Sequence, residues 1–280
     1  MDAPFSQVFF PASFHELFSA WNRFPAAVPY AGGTDIIRRQ GKNILNLPSV
    51  ILCLDKLQEL YHITRTEHYL EIGSMIKLNK IIHLGKIVPK ALCACLENIS
   101  GVQLRNIATI GGNVCCSGRL LDASAPLTAL DAQYELRSAH SSRWVAAARF
   151  HSSQERTGLE NQELLTRIRL PIHQWDYSMY KKFHSEDIHN TKVLVFLAKI
   201  QKNMLSDIRV VYKGDTILRN KSGESLLTGK NLPLNRKTAG DFIKNWEEFL
   251  SNLSKNDEIG EFTTNRLINC IEINVNNLSE

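Results

Sequence analysis

Ile107-Ala108-Thr109-Ile110-Gly111-Gly112-Asn113-Val114 is the stretch that decides the fold of this chain, and a second glycine pair stands upstream in Ala31-Gly32-Gly33-Thr34-Asp35. Both pairs are expected to offer bare main-chain amides to an anion, because a main chain that approaches a phosphate closely needs residues without Cβ. The Thr34 hydroxyl can join the amides of its pair, Asp35 can cap the helix that follows, and Asn113 can act comparably in the other pair. Either pair alone is better explained as a tight turn. Together they predict a ligand with two phosphates.

Motifs for other chemistries are absent from the sequence. It contains no G-x-G-x-x-G and no G-x-x-x-x-G-K-[ST], which argues against a Rossmann fold and a P-loop. It has neither H-E-x-x-H nor G-x-S-x-G, and four of its six cysteines form one C-x-C and one C-C pair, without C-x-x-C spacing. We therefore predict mostly buried free thiols, no metal ligands and no catalytic nucleophile or general base.

The composition is that of an ordinary globular protein. The 280 residues suffice for two domains, and hydrophobic residues make up 44% of them and charged residues 22%. No apolar run approaches the roughly 20 residues of a membrane-spanning helix. The net charge of +5 is not gathered into a basic stripe, and Met1-Asp2-Ala3-Pro4-Phe5 does not resemble a secretory signal. We expect a cytoplasmic protein that binds neither nucleic acid nor a membrane.

The periodicity of apolar residues predicts an α+β fold in two domains. Ser13-Phe14-His15-Glu16 has the form of a capping box and starts an amphipathic helix. Strands are predicted at 28–31, 44–47, 50–54, 60–64, 69–73, 133–137, 143–146 and 163–170, and helices at 78–84 and 89–99. The polar turns between the last three of these strands suggest a mainly antiparallel sheet. Further strands at 179–183, 192–200 and 208–212 precede two helices, the first with Phe242, Trp246, Phe249 and Leu250 on one face. We place a domain boundary near residues 172–176, giving domains 1–174 (subdomains 1–57 and 58–174) and 175–280.

The two glycine segments, extended by Asp122-Ala123-Ser124-Ala125-Pro126, give the chain a family resemblance. It closely resembles the FAD-binding subunit of the xanthine dehydrogenase family of molybdenum hydroxylases, which includes the medium subunit of carbon monoxide dehydrogenase. Those proteins carry an A-G-G-T-D-type loop, then T-x-G-G-N, then D-x-x-x-P. The resemblance spans the chain in order and is sharp to about residue 170. It implies a vanillyl-alcohol-oxidase (PCMH)-type FAD-binding domain followed by a smaller α+β domain of antiparallel sheet and helices.

The resemblance also implies which residues contact FAD. In that family the two loops cradle the pyrophosphate. The implied contacts are Pro29, Tyr30, Ala31, Gly32, Gly33, Thr34, Asp35, Ile36, Thr109, Ile110, Gly111, Gly112, Asn113 and Asp122, with Ile99, Leu165 and Lys181 as further contacts. Ile99 and Leu165 are equally well explained as core residues, and Lys181 as a solvated lysine at a strand end.

The implied activity is electron transfer. Electrons leave a substrate at molybdopterin on a large partner subunit, cross two [2Fe-2S] clusters on a small partner subunit and reach FAD here, then NAD+, oxygen or another acceptor. The chain departs from the family at His184-Ser185-Glu186-Asp187-Ile188-His189-Asn190-Thr191, where relatives carry an R-x-x-D-like segment, and at Cys115-Cys116. The first departure leaves open a non-catalytic assembly subunit that has lost flavin. A self-contained flavin oxidase ranks last, because no substrate-binding domain is evident.

Overall fold

The computed structural model describes residues 6–40, 47–116, 119–152, 158–183, 191–255 and 260–278. The strands are β1 Gln7–Phe9, β2 Val28–Tyr30, β3 Val50–Cys53, β4 Ile63–Arg65, β5 Tyr69–Gly73, β6 Gln133–Arg137, β7 Ser142–Ala146, β8 Leu164–Pro171, β9 Tyr177–Phe183, β10 Lys192–Gln201, β11 Met204–Lys213 and β12 Ile217–Arg219. The helices are α1 Phe14–Arg23, α2 Thr34–Gln40, α3 Leu78–Ile82, α4 Lys90–Glu97, α5 Val102–Arg105, α6 Ile110–Val114, α7 Ser124–Ala129, α8 Ala147–Phe150, α9 Lys221–Leu227, α10 Arg236–Lys255 and α11 Glu261–Asn276.

The N-terminal unit is a small parallel sheet in the order β1-β3-β2. The Ser13 half of the capping box of α1 forms as predicted, since Ser13 Oγ accepts from the Glu16 amide at 3.2 Å, whereas Glu16 Oε2 accepts from the amide of Ala12 at 2.8 Å instead of that of Ser13. β1 was not predicted, because three residues carry too little pattern. Of the strand predicted at 44–47, only Leu47 lies within the described residues, and it is not in a strand.

The second unit is an antiparallel sheet in the order β4-β5-β8-β6-β7, as the sequence predicted. Alternate side chains such as Ile72, Tyr134 and Ile168 point to one face and are buried. They join one apolar core with residues of α3, α4 and α7. α6, which carries the second glycine pair, packs against β8, so this sheet positions that part of the candidate site.

The C-terminal sheet, β12-β11-β10-β9, lies between two cores. Val193, Val195 and Leu197 of β10 enter the core of the second unit, whereas the alternating residues Leu194, Phe196 and Ala198 enter a core formed with α10 and α11. The register of β9 therefore places its two lysines on opposite faces of the sheet, since Lys182 lies opposite Val193 and Lys181 opposite Leu194. The domain boundary near residues 172–176 stays a prediction, because β10, which follows it in the chain, contributes side chains to both cores. Within the described residues, no helix is both long and apolar enough to cross a membrane.

Candidate cofactor-binding site

The first glycine segment, residues 31–35, is a tight turn between β2 and α2 with open main-chain amides. Gly33 has φ +67°, a conformation in which a residue with a Cβ is strained. Among the described residues, the amides of Gly32, Gly33 and Thr34 have no hydrogen-bond acceptor. Adjacent amides in a turn of this kind form an anion-binding concavity. This segment therefore has the geometry that the sequence predicted.

The fold brings the two glycine segments together. A Cβ built on Gly32 would lie 2.3 Å from the Ile107 carbonyl oxygen and 3.2 Å from Ala108 Cα. The first segment therefore packs on the main chain immediately before Thr109, although the two lie far apart in sequence. Because the obstructing atoms are main chain, only glycine allows this approach.

The second glycine segment, residues 109–113, differs from the first because its amides are already used. Thr109 caps α6, and its Oγ1 accepts from the Gly112 amide at 3.0 Å. The Ile110 and Gly111 amides donate to Ile76 O at 3.0 Å and Ser74 O at 2.9 Å, and the Asn113 amide donates to Thr109 O at 3.0 Å. The expectation of bare amides is therefore wrong for this segment. Its glycines serve close packing instead.

The second segment contains one buried polar atom without a partner, the side-chain oxygen of Asn113. Asn113 is buried, and its Oδ1 atom has no hydrogen-bond partner among the described residues. A buried oxygen without a partner costs roughly 1–3 kcal/mol. A ligand that donates a hydrogen bond to Asn113 would remove this cost.

Arginine side chains surround Asp35 beside the first segment. Arg38 Nη2 lies 3.0 Å from Asp35 Oδ1, Arg39 Nε lies 2.6 Å from Oδ2, and Arg119 Nη2 lies 3.6 Å from Oδ1. Burial raises the pKa of Asp35, but the hydrogen bond from Arg38 and the charges of Arg39 and Arg38 outweigh burial and hold that pKa below its usual value. Three arginine side chains thus lie within 4 Å of one carboxylate at this edge. Asp35 is the second residue of α2, so it is not the helix cap that the sequence suggested.

Asp122 is the centre of a second charged cluster, whose lysines, Lys182 and Lys213, both lie opposite Val193 on the face of the C-terminal sheet that meets the core of the second unit. Asp122 is 6% exposed, and Lys182 Nζ donates to its Oδ2 at 2.7 Å. Thr191 Oγ1 donates to its Oδ1, and Lys213 Nζ lies 3.9 Å from the same oxygen. Lys182 Nζ also donates to Asn98 O at 3.3 Å. This cluster therefore connects Asp122 with the chain next to Ile99.

The three further contacts are placed differently. Lys181 is exposed, lies opposite Leu194 on the face of the α10 and α11 core, and is near enough to lower the pKa of Cys270, although burial is the larger influence and raises it. Leu165 is 2% exposed in the core of the antiparallel sheet, and Ile99 is half-buried beside the same core. The structure thus brings Lys182, rather than Lys181, to Asp122.

The remaining predicted residues lie along the first segment. Tyr30 covers Gly33, since a Cβ on Gly33 would lie 2.0 Å from Tyr30 Oη. Ala31 and Ile36 are half-buried on either side of the turn. Pro29 lines a cavity of about 630 Å³ together with Trp21 and Gln162.

Sequence reasoning missed Lys182, Thr191, Lys213 and Arg119. Lys213 carried a signal, because it ends the apolar run Val210-Val211-Tyr212 and is a buried charge at the end of a strand. Lys182 could not be separated from its neighbour Lys181 without the strand register. Thr191 closes the segment 184–191, of which residues 184–190 lie outside the described residues.

The residues present fit FAD on three observations. The open amides of the first segment suit a pyrophosphate, the arginines around Asp35 supply positive charge, and Asn113 Oδ1 can accept a hydrogen bond from the cofactor.

Residues 3–173 match the family described as "FAD binding domain in molybdopterin dehydrogenase". The match covers more than half of the chain, so the chain belongs to this family of FAD-binding domains. The resemblance noted from the sequence and the α+β fold are both confirmed.

Individual relatives agree with this assignment. A xanthine dehydrogenase FAD-binding subunit from Escherichia coli O157:H7 is 29% identical over 224 residues, covering 76% of this chain and 75% of that protein. A glyceraldehyde dehydrogenase medium chain from Sulfolobus acidocaldarius is 28% identical over 219 residues, covering 77% and 76%.

Solved structures share the fold. Carbon monoxide dehydrogenase from Hydrogenophaga pseudoflava matches with a TM-score of 0.82 at 20% identity, covering 100% of this chain and 98% of that one. Quinoline 2-oxidoreductase from Pseudomonas putida 86 matches with a TM-score of 0.81 at 19% identity and the same coverage.

Proposed function

We propose that this chain is the FAD-binding electron-transfer subunit of a molybdenum-containing hydroxylase or dehydrogenase. In this proposal it holds FAD between the [2Fe-2S] clusters of a small partner subunit and a final acceptor, NAD+ or another, while a large partner subunit carries molybdopterin. The proposal is supported by family membership and by a relative named a xanthine dehydrogenase FAD-binding subunit. We place the complex in the cytoplasm, as the sequence predicts.

The observation that carries the proposal is the contact of Gly32 with the main chain of Ile107 and Ala108. This contact sets the open amides of the first segment beside the second segment, so both meet one ligand. The amides of Gly32, Gly33 and Thr34 would donate to phosphate oxygens, and the arginines around Asp35 would favour their negative charge. Asn113 Oδ1, which has no partner among the described residues, would accept a hydrogen bond from the cofactor.

The redox chemistry itself belongs to the isoalloxazine of FAD when it is bound. The protein contributes binding, orientation and electrostatics, and no side chain here is needed as a nucleophile or general base. Asp122 is 6% exposed, so its carboxylate is largely shielded from water.

A pair of glycine variants tests the proposal. Gly33 and Gly85 have φ +67° and +66°, so alanine costs about 1–2 kcal/mol of backbone strain at either position. A Cβ on Gly85 meets nothing within 4 Å, whereas a Cβ on Gly33 collides with Tyr30 inside the site. We expect the purified chain to be yellow, with the absorbance of oxidised flavin at about 370 and about 450 nm. Gly33→Ala should lower FAD occupancy at least fivefold, and Gly85→Ala should retain it.

Other outcomes favour the alternatives. A chain that stays colourless after incubation with FAD and still binds its partner subunits would be an assembly subunit that has lost flavin. Substrate turnover by the isolated chain would instead indicate a self-contained flavin oxidase. Equal FAD loss in the Gly33 and Gly85 variants would show that backbone strain, and not the site, controls occupancy.

A further inference from the structure

Lys213 is a buried cation to which the proposed function assigns no role. It is the last residue of β11, follows Val210, Val211 and Tyr212 and is 1% exposed. Its Nζ atom donates to the Thr191 carbonyl oxygen and, at 3.2 Å, to Thr191 Oγ1. It thus fixes the hydroxyl that donates to Asp122.

The charges around Lys213 do not balance. Asp122 already receives a direct hydrogen bond from Lys182 at 2.7 Å, so Lys213, at 3.9 Å, is a second ammonium beside that carboxylate, and the charge of Asp215 is a smaller influence on it. Burial is the largest influence on Lys213 and lowers its pKa to about 8; the charges of Arg119 and Lys182 also lower this pKa, and those of Asp122 and Asp215 oppose them. A buried excess of positive charge is unfavourable unless a negative partner offsets it.

We propose that Lys213 is a positioning residue of the flavin site, which holds Thr191 and through it Asp122, and which stabilises the negative charge that reduction brings to the cofactor. The inference rests on the proposed function, because the family resemblance implies that Asp122 contacts FAD. Two electrons and one proton convert oxidised FAD to its anionic reduced form. A nearby fixed cation favours that product and therefore raises the reduction potential.

The test is a spectroelectrochemical titration of FAD in the purified holo-complex. Lys213→Met removes the charge and keeps the approximate length, and Lys213→Arg keeps the charge. The matched control is Lys192→Met, because Lys192 is half-buried in the same sheet and donates to Thr263 Oγ1 at 3.0 Å on the α11 side. We expect Lys213→Met to lower the ratio of reduced to oxidised FAD about tenfold at a given potential, a shift of about 30 mV for a two-electron couple. Lys213→Arg and Lys192→Met should match the wild type.

An unchanged potential in Lys213→Met, or an equal shift in Lys192→Met, overturns the inference and leaves the proposed function standing. If Lys213→Met folds by circular dichroism but loses FAD, the Lys213→Arg variant is the deciding measurement. An arginine variant that retains FAD with the wild-type reduction potential supports the inference, whereas loss of FAD from both variants overturns it. A wild-type protein that binds no FAD overturns the proposed function and this inference together.

Discussion

Replacing Lys213 with methionine should change how the stability of the protein depends on pH. The Lys213 side chain is almost fully buried, and burial lowers its pKa from 10.5 to about 8, with Asp122 and Asp215 opposing and Arg119 and Lys182 assisting the shift. A pKa difference of one unit corresponds to about 1.4 kcal/mol, so a difference of this size is worth about 3 kcal/mol.

The sign follows from proton binding. Between pH 8 and 10.5 the unfolded chain holds a proton on Lys213 that the native protein has released, so native stability gains from Lys213 as pH rises through this window. Below pH 8 both states are protonated, and the full cost of burying the charge is present. Lys213→Met has no such group. Relative to the variant, the wild type should therefore gain about 3 kcal/mol between pH 7 and 10.5.

Urea unfolding followed by circular dichroism and tryptophan fluorescence measures this difference. Wild type and Lys213→Met are compared at matched pH values under reducing conditions, so the ionisation of tyrosines and thiols cancels between them. Lys192→Met is the matched control for loss of a half-buried lysine from the same sheet. Curves of unfolding free energy against pH that run parallel for wild type and Lys213→Met would refute the reasoning.

Two predictions concern the second glycine segment. A Cβ at Gly111 would lie 2.8 Å from the Ser74 carbonyl oxygen, whereas one at Gly112 would meet only the Thr109 hydroxyl at 3.0 Å. We expect Gly111→Ala to lose FAD and unfold at a lower temperature by calorimetry, and Gly112→Ala to stay close to wild type; equal effects would contradict this packing role. Asn113→Leu should weaken FAD binding about tenfold in a fluorescence titration without lowering the free energy of unfolding of the apoprotein, because it removes a buried oxygen that has no partner; an unchanged affinity would show that Asn113 does not bind the cofactor.

The sequence predicted the elements better than it predicted which side chains meet. The capping box at Ser13, the antiparallel sheet and the helix with Phe242 and Trp246 on one face all follow local periodicity, and the structure confirms them. Lys181 and Lys182 are different, because adjacent strand residues point to opposite faces and a shift of one residue exchanges them. Only the pairing of β9 with β10 shows that Lys182 faces Asp122.

The two glycine pairs look equivalent in sequence, yet the structure gives them different roles. In the first segment the amides of Gly32 and Gly33 are open to a ligand, and glycine at position 33 also permits the positive φ of the turn. In the second segment the Gly111 amide is bonded to Ser74, so glycine serves the close packing of α6 on its neighbours and Asn113 supplies the polar group. Variants of both segments should therefore weaken FAD binding, but for different reasons: loss of open amides in the first segment, and loss of the packing of α6 or of the Asn113 oxygen in the second.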